Sequence, residues 1–441
     1  MEQRIEIRNF GPIKNVSLQV KDFMVFVGPQ ASGKSTIAKA IYFFKSLKQI
    51  LASQVLYNYI TSSVYDDVET AILKCKRVIL KNFLSYFPKN TNDGVVLRYF
   101  YEQDIWVSIV QETDKKHLTV YLSHELEDKM GKLLAQCLTV SCSLSEMLKD
   151  FNIDETQKWN DYNLEQKKQW EYIKKRYNEI LKYDVRLIFI PAGRSTINAI
   201  KWDAPQILNL MNNRIIKEFF DNVITPLRMS FGKSLNEFVE NVKHFKKQID
   251  ENKVKIASDL VRNVLKGEYK YEQNNEERIY FADNQYVLLN TASSGQQESL
   301  WILLLLFEQI LYERNTFIII EEPEAHLFPD AQKDIVNLMA LFSNIQNAQL
   351  IITTHSPYIL ASINNLIYAH KIGSEHKEQV AEKINEHLWL DVNKVYAGFV
   401  SHGEIENIID PELNLIQQER IDTISSIIND EFDFLFQLET D

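Results

Sequence analysis

In the segment Gly28-Pro29-Gln30-Ala31-Ser32-Gly33-Lys34-Ser35-Thr36, the first eight residues satisfy the spacing G-x-x-x-x-G-K-[ST]. The chemistry of that spacing is phosphate binding. Its glycines let successive backbone N–H groups curl around phosphate oxygens, and the start of a helix adds positive potential. Lys34 is placed to reach the β- and γ-phosphates of a nucleotide, and Ser35 to offer a hydroxyl to Mg²⁺. Three further groups lie late in the chain. Ser293-Ser294-Gly295-Gln296-Gln297-Glu298 opens the strongly apolar stretch 299–311, and such a turn serves either as a phosphate contact or as a plain helix cap. The run Thr316-Phe317-Ile318-Ile319-Ile320 delivers Glu321 and Glu322 to its end. Glu321 suits a magnesium ion held through water, and Glu322 suits orienting and deprotonating a water molecule; the plainer alternative is two solvated acids. Leu350-Ile351-Ile352-Thr353-Thr354 ends in His355, which can contact a γ-phosphate. A lone histidine is more often structural, but its place one strand after the acidic pair favours the functional reading.

These groups need elements to deliver them. Met24–Val27 reads as a buried strand and 36–44 as the start of a helix, the context that gives the glycine-lysine motif its meaning. Residues 2–27 alternate like an antiparallel pair turning near Asn9-Phe10-Gly11-Pro12. Val95–Tyr101, Ile105–Glu112 and His117–Leu122 predict three more strands. A helical, charge-rich stretch covers 124–183, with Trp170, Ile173, Tyr177 and Ile180 at helical spacing. Its bases Lys167, Lys168, Lys174, Lys175 and Arg176 are a solvated face or a nucleic-acid contact. Val185–Ile190 predicts a buried strand ending at Pro191-Ala192-Gly193-Arg194-Ser195. A second helical insert spans 206–265, its stripe running through Leu235, Phe238, Val239, Val242, Phe245 and Ile249. Strand alternation returns over 267–289, and an amphipathic helix over 417–438.

Composition sets the class. With 45% hydrophobic and 25% charged residues in 441, the chain is an ordinary globular protein large enough for more than one core. No apolar run spans a bilayer and no secretory pattern opens the chain, so the cytoplasm is the expected location and no membrane partner is expected. Cys75, Cys137 and Cys142 form no C-x-x-C pair. The net charge of −11 argues against general DNA coating but leaves a local basic groove possible.

In this order the four motifs resemble the ABC-class ATPase head of the Rad50/SMC/RecF/OLD group. The resemblance implies an α/β fold, an ABC-type ATPase head with a mixed sheet, a parallel P-loop core, an antiparallel β subdomain and helical insertions. It implies ATP and Mg²⁺ as cofactors, hydrolysis to ADP and phosphate, and a homo-oligomer in which heads sandwich ATP head to tail. Carried over by residue, Gly28, Pro29, Gln30, Ala31, Ser32, Gly33, Lys34, Ser35 and Thr36 would cradle the phosphates, while Ser294, Gly295 and Gln297 would reach them from a second copy. Ser35 and Glu321 would hold the metal, and Lys34, Glu322 and His355 would carry the chemistry. Departures stand beside the match. Ser293 and Gln296 replace the Leu and second Gly of the usual L-S-G-G-Q, and Glu321 replaces the usual Asp, whose shorter side chain would hold magnesium differently, so turnover is expected to be slow. Arg194 is the candidate for a substitute phosphate or interface contact where a magnesium-sensing glutamine is not found.

The expected organisation is an N-terminal ATPase lobe with the P-loop and β subdomain (1–123), a helical insertion (124–183), a core strand and loop (184–205), a helical hairpin (206–265) and a C-terminal ATPase lobe (266–441). The stretch Glu322-Pro323-Glu324-Ala325-His326-Leu327-Phe328-Pro329 resembles the OLD-type branch. Neither a C-x-x-C hook nor a convincing TOPRIM constellation is present, Glu404, Glu406 and Asp410 being scattered. The chain therefore resembles nuclease-free ATPase subunits of bacterial antiphage defence systems, on the plan of AriA of PARIS, which works with a TOPRIM-type nuclease, or of PtuA of Septu, which works with an HNH nuclease. That implies a sensor and scaffold holding a separate effector nuclease until a trigger, such as a phage-encoded protein, releases it. The alternative is a RecF/SMC-like DNA-repair ATPase clamping DNA, supported by the bases of 167–176 and 243–247.

Overall fold

The computed structural model describes residues 3–60, 67–88, 92–112, 117–147, 155–195, 213–232, 234–246, 249–272, 274–420 and 423–440. The chain divides into two compact units, one made of Met1–Val20, Thr36–Val185 and His402–Glu404, the other of Lys21–Ser35, Arg186–Ser401 and Ile405–Asp441. Apart from Thr36, every candidate site residue belongs to the second. This division differs from the expected one because the strand ahead of the P-loop pairs with late strands and not with its sequence neighbours.

In the first unit, β1 (Arg4–Phe10) and β2 (Ile13–Gln19) form the expected antiparallel pair. After β3 (Phe23–Val27), which belongs to the second unit, β4 (Val96–Glu102), β5 (Ile105–Gln111) and β6 (Leu118–Leu122) complete a five-stranded sheet in the order β2-β1-β4-β5-β6. Its four neighbouring pairs are all antiparallel. A helix at Val68–Tyr86, capped by the Asp67 side chain, buries the stripe Ala71, Cys75, Ile79 and Phe83. Helices at His124–Met147 and Glu155–Leu181 fill the expected helical region. Ile173, Tyr177 and Ile180 are buried on the latter, while Lys167, Lys168 and Lys175 are exposed.

The second unit is built on β7 (Arg186–Ile190), β8 (Glu268–Tyr271), β9 (Glu277–Ala282), β10 (Gln285–Leu288), β11 (Thr316–Glu321), β12 (Gln349–Thr354), β13 (Val395–Ser401) and β14 (Glu404–Asn407). A six-stranded sheet runs β14-β13-β3-β12-β11-β7, parallel from β13 through β7. All residues of β3 and β11 are buried, the continuous apolar runs that parallel strands covered on both faces require. β8–β10 form a small antiparallel sheet. The expected combination of parallel P-loop core, antiparallel subdomain and helical insertions is present.

One helix, Ser294–Tyr312, is buried all round from Glu298 to Leu311, as a helix apolar on every side must be. Its neighbours include the helices Glu251–Leu265 and Pro329–Ser343. The second helical segment therefore does not project. Leu235, Phe238, Val239 and Val242 of the helix Leu235–Phe245 enter the same core as Trp301 and Phe307. Ile249 packs partly buried against the same core, and Phe245 alone, at 90% exposed, leaves the expected stripe. Just before it, α-helix Arg214–Phe219 gives way to a π-helical turn at Phe220–Ile224, then to α-helix Thr225–Ser230. Pro226 has no N–H to offer the carbonyl four residues earlier; that carbonyl, of Asn222, accepts from Arg186 at 2.8 Å instead. The remainder of the 184–205 and 206–265 segments, residues 196–212, lies outside the described residues, as does Lys247.

Candidate active site

Three neighbouring strands end at one edge of the parallel sheet. Val27 of β3 is in register with Thr354 of β12, and Thr353 of β12 with Glu321 of β11. The residues that follow, Gly28, His355 and Glu322, therefore emerge side by side, at a spacing of about 5 Å per strand. This is the carboxyl edge of an open α/β sheet, where ligands bind. The histidine strand lies between the other two.

The phosphate loop turns through three residues of positive φ. Gly28 (φ +144°), Ala31 (φ +59°) and Gly33 (φ +110°) turn it back on itself before the helix Lys34–Ile60 begins. A Cβ on Gly28 would stand 2.2 Å from the Val400 carbonyl oxygen, so no other residue fits there. Pro29, Gln30 and Ala31 are exposed; Ser35 and Thr36 are half-buried. Lys34 is 5% exposed and its Nζ donates to the carbonyls of Gly28 and Pro29, both at 2.8 Å. Burial pushes its ammonium down to about 8, against the pull of Glu322 and Glu324. Ser32 Oγ is buried with no hydrogen-bond partner among the described residues. A lysine parked on loop carbonyls, an orphaned hydroxyl and a helix N-terminus make a donor set that fits a polyphosphate. The hydroxyl of Ser35 and the carboxylate of Glu321 are the hard oxygen donors that suit Mg²⁺.

The acidic pair divides in environment. Glu321 is 4% exposed and its Oε2 accepts from the Ala192 N–H at 3.3 Å. Glu322 is half-exposed, and its Oε1 lies 3.6 Å from His355 Nε2. Glu322 adopts φ +46°, a left-handed conformation unusual for a residue with a side chain. It is held there by its N–H on the Thr353 carbonyl (2.9 Å) and by its own carbonyl, which accepts from Ala325 N–H (3.2 Å) and Arg194 (2.9 Å).

Arg194 is where the structure corrects the sequence reading. It is not a surface cation available to phosphate or to a second copy. The side chain is fully buried, and its guanidinium donates to the carbonyls of Glu298 (2.6 Å), Pro191 (2.8 Å), Glu321 (2.7 Å) and Glu322 (2.9 Å). Its charge is balanced by the Glu298 carboxylate at 3.3 Å, which also accepts the backbone N–H groups of Arg194 and Ser195, each at 2.9 Å. Burial would raise the Glu298 carboxyl, yet the bonds from Ser195 and the charge of Arg194 hold it below the usual carboxylate range. The arginine thus ties the signature helix to the end of the acidic strand.

The departures in the signature have a local cause. Ser293 and Gln296 form a reciprocal capping box at the start of the helix Ser294–Tyr312: Ser293 Oγ accepts Gln296 N–H at 3.3 Å, and Gln296 Oε1 accepts Ser293 N–H at 3.1 Å. Gln296 Nε2 also donates to the Leu265 carbonyl at 2.8 Å. Ser294 is exposed at the first helical position, and Gln297 donates to the Ala292 carbonyl at 2.8 Å. Gly295 packs on the turn after the acidic strand, where a Cβ would lie 2.7 Å from the His326 carbonyl oxygen.

Two residues of consequence carry no role in the sequence reading. Glu298 had no signal beyond following the signature. Glu324 stands in the Glu322-Pro323-Glu324 run, where the repeated acidic type is the signal the sequence offers. Its Oε1 accepts from Thr354 Oγ1 (2.7 Å) and from His355 N–H (2.8 Å), and burial pushes its carboxyl above the usual range against those two bonds.

The chromosome partition protein Smc of Methanocaldococcus jannaschii is 27% identical over 276 residues, covering 58% of this chain and 22% of that protein, so the chain spans about a fifth of the length of the relative it matches. Among solved structures, an Smc head bound to the C-winged helix domain of ScpA is 12% identical, with a TM-score of 0.41 over 92% of this chain and 97% of that one. An Smc head with an extended coiled coil, bound to the C-terminal domain of ScpA derived from Pyrococcus furiosus, gives 14% and 0.38 over 97% and 99%. The SMC head domain from Thermotoga maritima gives 10% and 0.36 over 92% and 98%. The sequence model of the AAA ATPase domain matches residues 1–360, which take in the phosphate cradle, the signature turn, the acidic strand and His355, and the chain belongs to that family.

Proposed function

We propose that this chain binds and hydrolyses ATP as an ABC-type head, in a site completed by a second copy. The observation that carries this reading is the register that brings the lysine cradle, His355 and the Glu321–Glu322 pair to one edge of one parallel sheet. The backbone N–H groups of the loop, of which Pro29 has none, receive the β- and γ-phosphates, and Lys34 exchanges the carbonyls of Gly28 and Pro29 for phosphate oxygens. Mg²⁺, when bound, neutralises charge on the transferring phosphoryl group; Ser35 and Glu321 would hold it. Glu322 orients the attacking water and takes its proton, and His355 hydrogen-bonds the γ-phosphate from 3.6 Å beside that carboxylate. Ser294, Gly295 and Gln297 serve the phosphates of the other copy, a role that the solvent exposure of Ser294 supports. Phosphate release and particle size, measured with and without ATP on the wild type, Lys34→Ala and Glu322→Gln, test this. Hydrolysis lost in both variants and an ATP-trapped dimer in Glu322→Gln are expected; a monomer under every nucleotide condition overturns the shared site.

We further infer a scaffold role in antiphage defence, holding a separate effector nuclease. The OLD-like stretch 322–329 supports it, as does the C-terminal helix Thr423–Thr440, whose Ile428, Phe432, Phe434, Leu435, Phe436 and Leu438 are exposed. A nuclease co-purifying with the full chain, and lost when these residues are made polar, is the expected result. The second reading, a DNA clamp, draws on the similarity to Smc and on the exposed Lys167, Lys168 and Lys175. It requires ATP-dependent duplex binding with a steep salt dependence.

A further inference from the structure

We infer that Glu324 is a positioning residue for His355, anchoring the backbone that presents the imidazole to Glu322 through a chain of hydrogen bonds that returns to the acidic turn. This series of bonds starts at Glu324 Oε1, which accepts both the Thr354 hydroxyl and the His355 amide. Thr354 Oγ1 in turn accepts the Ser356 amide at 3.0 Å. Ser356 Oγ donates to Gln332 Oε1 at 2.5 Å while capping the helix Pro357–Gly373 at Tyr358 and Ile359. Gln332 Nε2 returns to the Leu327 carbonyl at 2.9 Å, in the same turn as Glu324. His355 thus sits between a residue tied to the acidic turn and a residue that caps the next helix. The His355 backbone, from which the ring reaches Glu322, is held by its amide on Glu324 and by its two tied neighbours.

The choice of a carboxylate is costly, and the cost argues for use. Glu324 Oε2 is buried with no hydrogen-bond partner among the described residues, so half the carboxylate is desolvated without return. A neutral side chain would hold two turns together more cheaply. A carboxylate oxygen accepting two donors makes bonds about twice as strong as neutral ones, and strength is what a fixed catalytic geometry needs.

The kinetic consequence rests on the ATP-hydrolysis reading, but the positional one does not. Glu324→Ala removes the acceptor, and Glu324→Gln keeps an oxygen for both donors. In Glu324→Ala we expect kcat to fall about 10- to 100-fold, the scale of an ångström of misplacement, with KM within about threefold. Glu324→Gln, which keeps the acceptor but not its charge, should recover only part of that loss. In nucleotide-free protein labelled with ¹⁵N-histidine, the His355 amide proton should resonate downfield in the wild type and in Glu324→Gln, and move upfield in Glu324→Ala. An unmoved His355 amide in Glu324→Ala overturns the inference, as does a kcat equal to the wild type's. If the wild type itself hydrolyses nothing, the ATPase reading fails and the amide comparison still decides whether Glu324 positions His355.

Discussion

Replacing Arg194 by Met should destabilise the fold by about 3–5 kcal/mol while leaving nucleotide affinity nearly unchanged. The magnitude follows from what the guanidinium leaves behind. Four carbonyls lose a donor, though Glu322 keeps Ala325 N–H as a second partner. The Glu298 carboxylate, 2% exposed, keeps two backbone N–H groups but loses its counter-charge. Breaking a buried pair from one side costs about 3–5 kcal/mol, chiefly the stranded charge. Removing that charge as well should return part of the loss, so Arg194→Met with Glu298→Gln is expected to be less damaging than the two single changes summed, by at least about 1 kcal/mol. Arg194→Lys keeps the charge but not the fork, and should recover less than half. The assay is urea unfolding followed by tryptophan fluorescence, with a fluorescent ATP analogue titrated into the same variants. Additive single changes would refute the pairing. An affinity loss of tenfold or more in a folded Arg194→Met would show that the arginine meets phosphate after all.

Lys34 makes nucleotide affinity pH-dependent. Its free-state ammonium is lowered to about 8, so affinity should be full below that pH and fall up to tenfold per unit above it; Lys34→Arg, charged throughout, should abolish the slope. The same shift acts on folding with the opposite sign: between about 8 and the ordinary value of 10.5 the unfolded chain binds more protons, so this group makes the fold more stable as pH rises. Restoring the family glycine with Gln296→Gly should cost about 1–3 kcal/mol, because it removes the capping box and the Leu265 bond and places Gly in a helix. Gly295→Ala should cost about 1–3 kcal/mol in nucleotide-free protein, since its Cβ meets the His326 carbonyl; unchanged urea stability would deny that approach.

The motifs were legible because their chemistry is local. A glycine-lysine turn needs only its own backbone, and β3, β11 and β12 announce themselves as apolar runs, the first closed by Gly28 and the others by polar residues. The alternation of β1, β2, β4, β5 and β6 was equally readable, one face of each strand being buried. The helices of 214–265 were readable as helices but not as core, since a stripe on one helix says nothing about what covers it. Arg194, between Gly193 and Ser195, has the surroundings of an exposed loop tip. Its burial depends on carbonyls contributed more than a hundred positions away, at Glu298, Glu321 and Glu322.

By itself, then, the order of residues determined which groups can touch phosphate, which can move a proton, and which segments are strands. Only the tertiary structure decided that β12 lies between β3 and β11, that the signature's odd residues cap a helix, and that Glu324 and Arg194 bind the turns together. Chemistry carried by adjacent residues is written in their types. Neighbourhood across a parallel sheet is set by which strands pair, and that is a property of the whole packed chain.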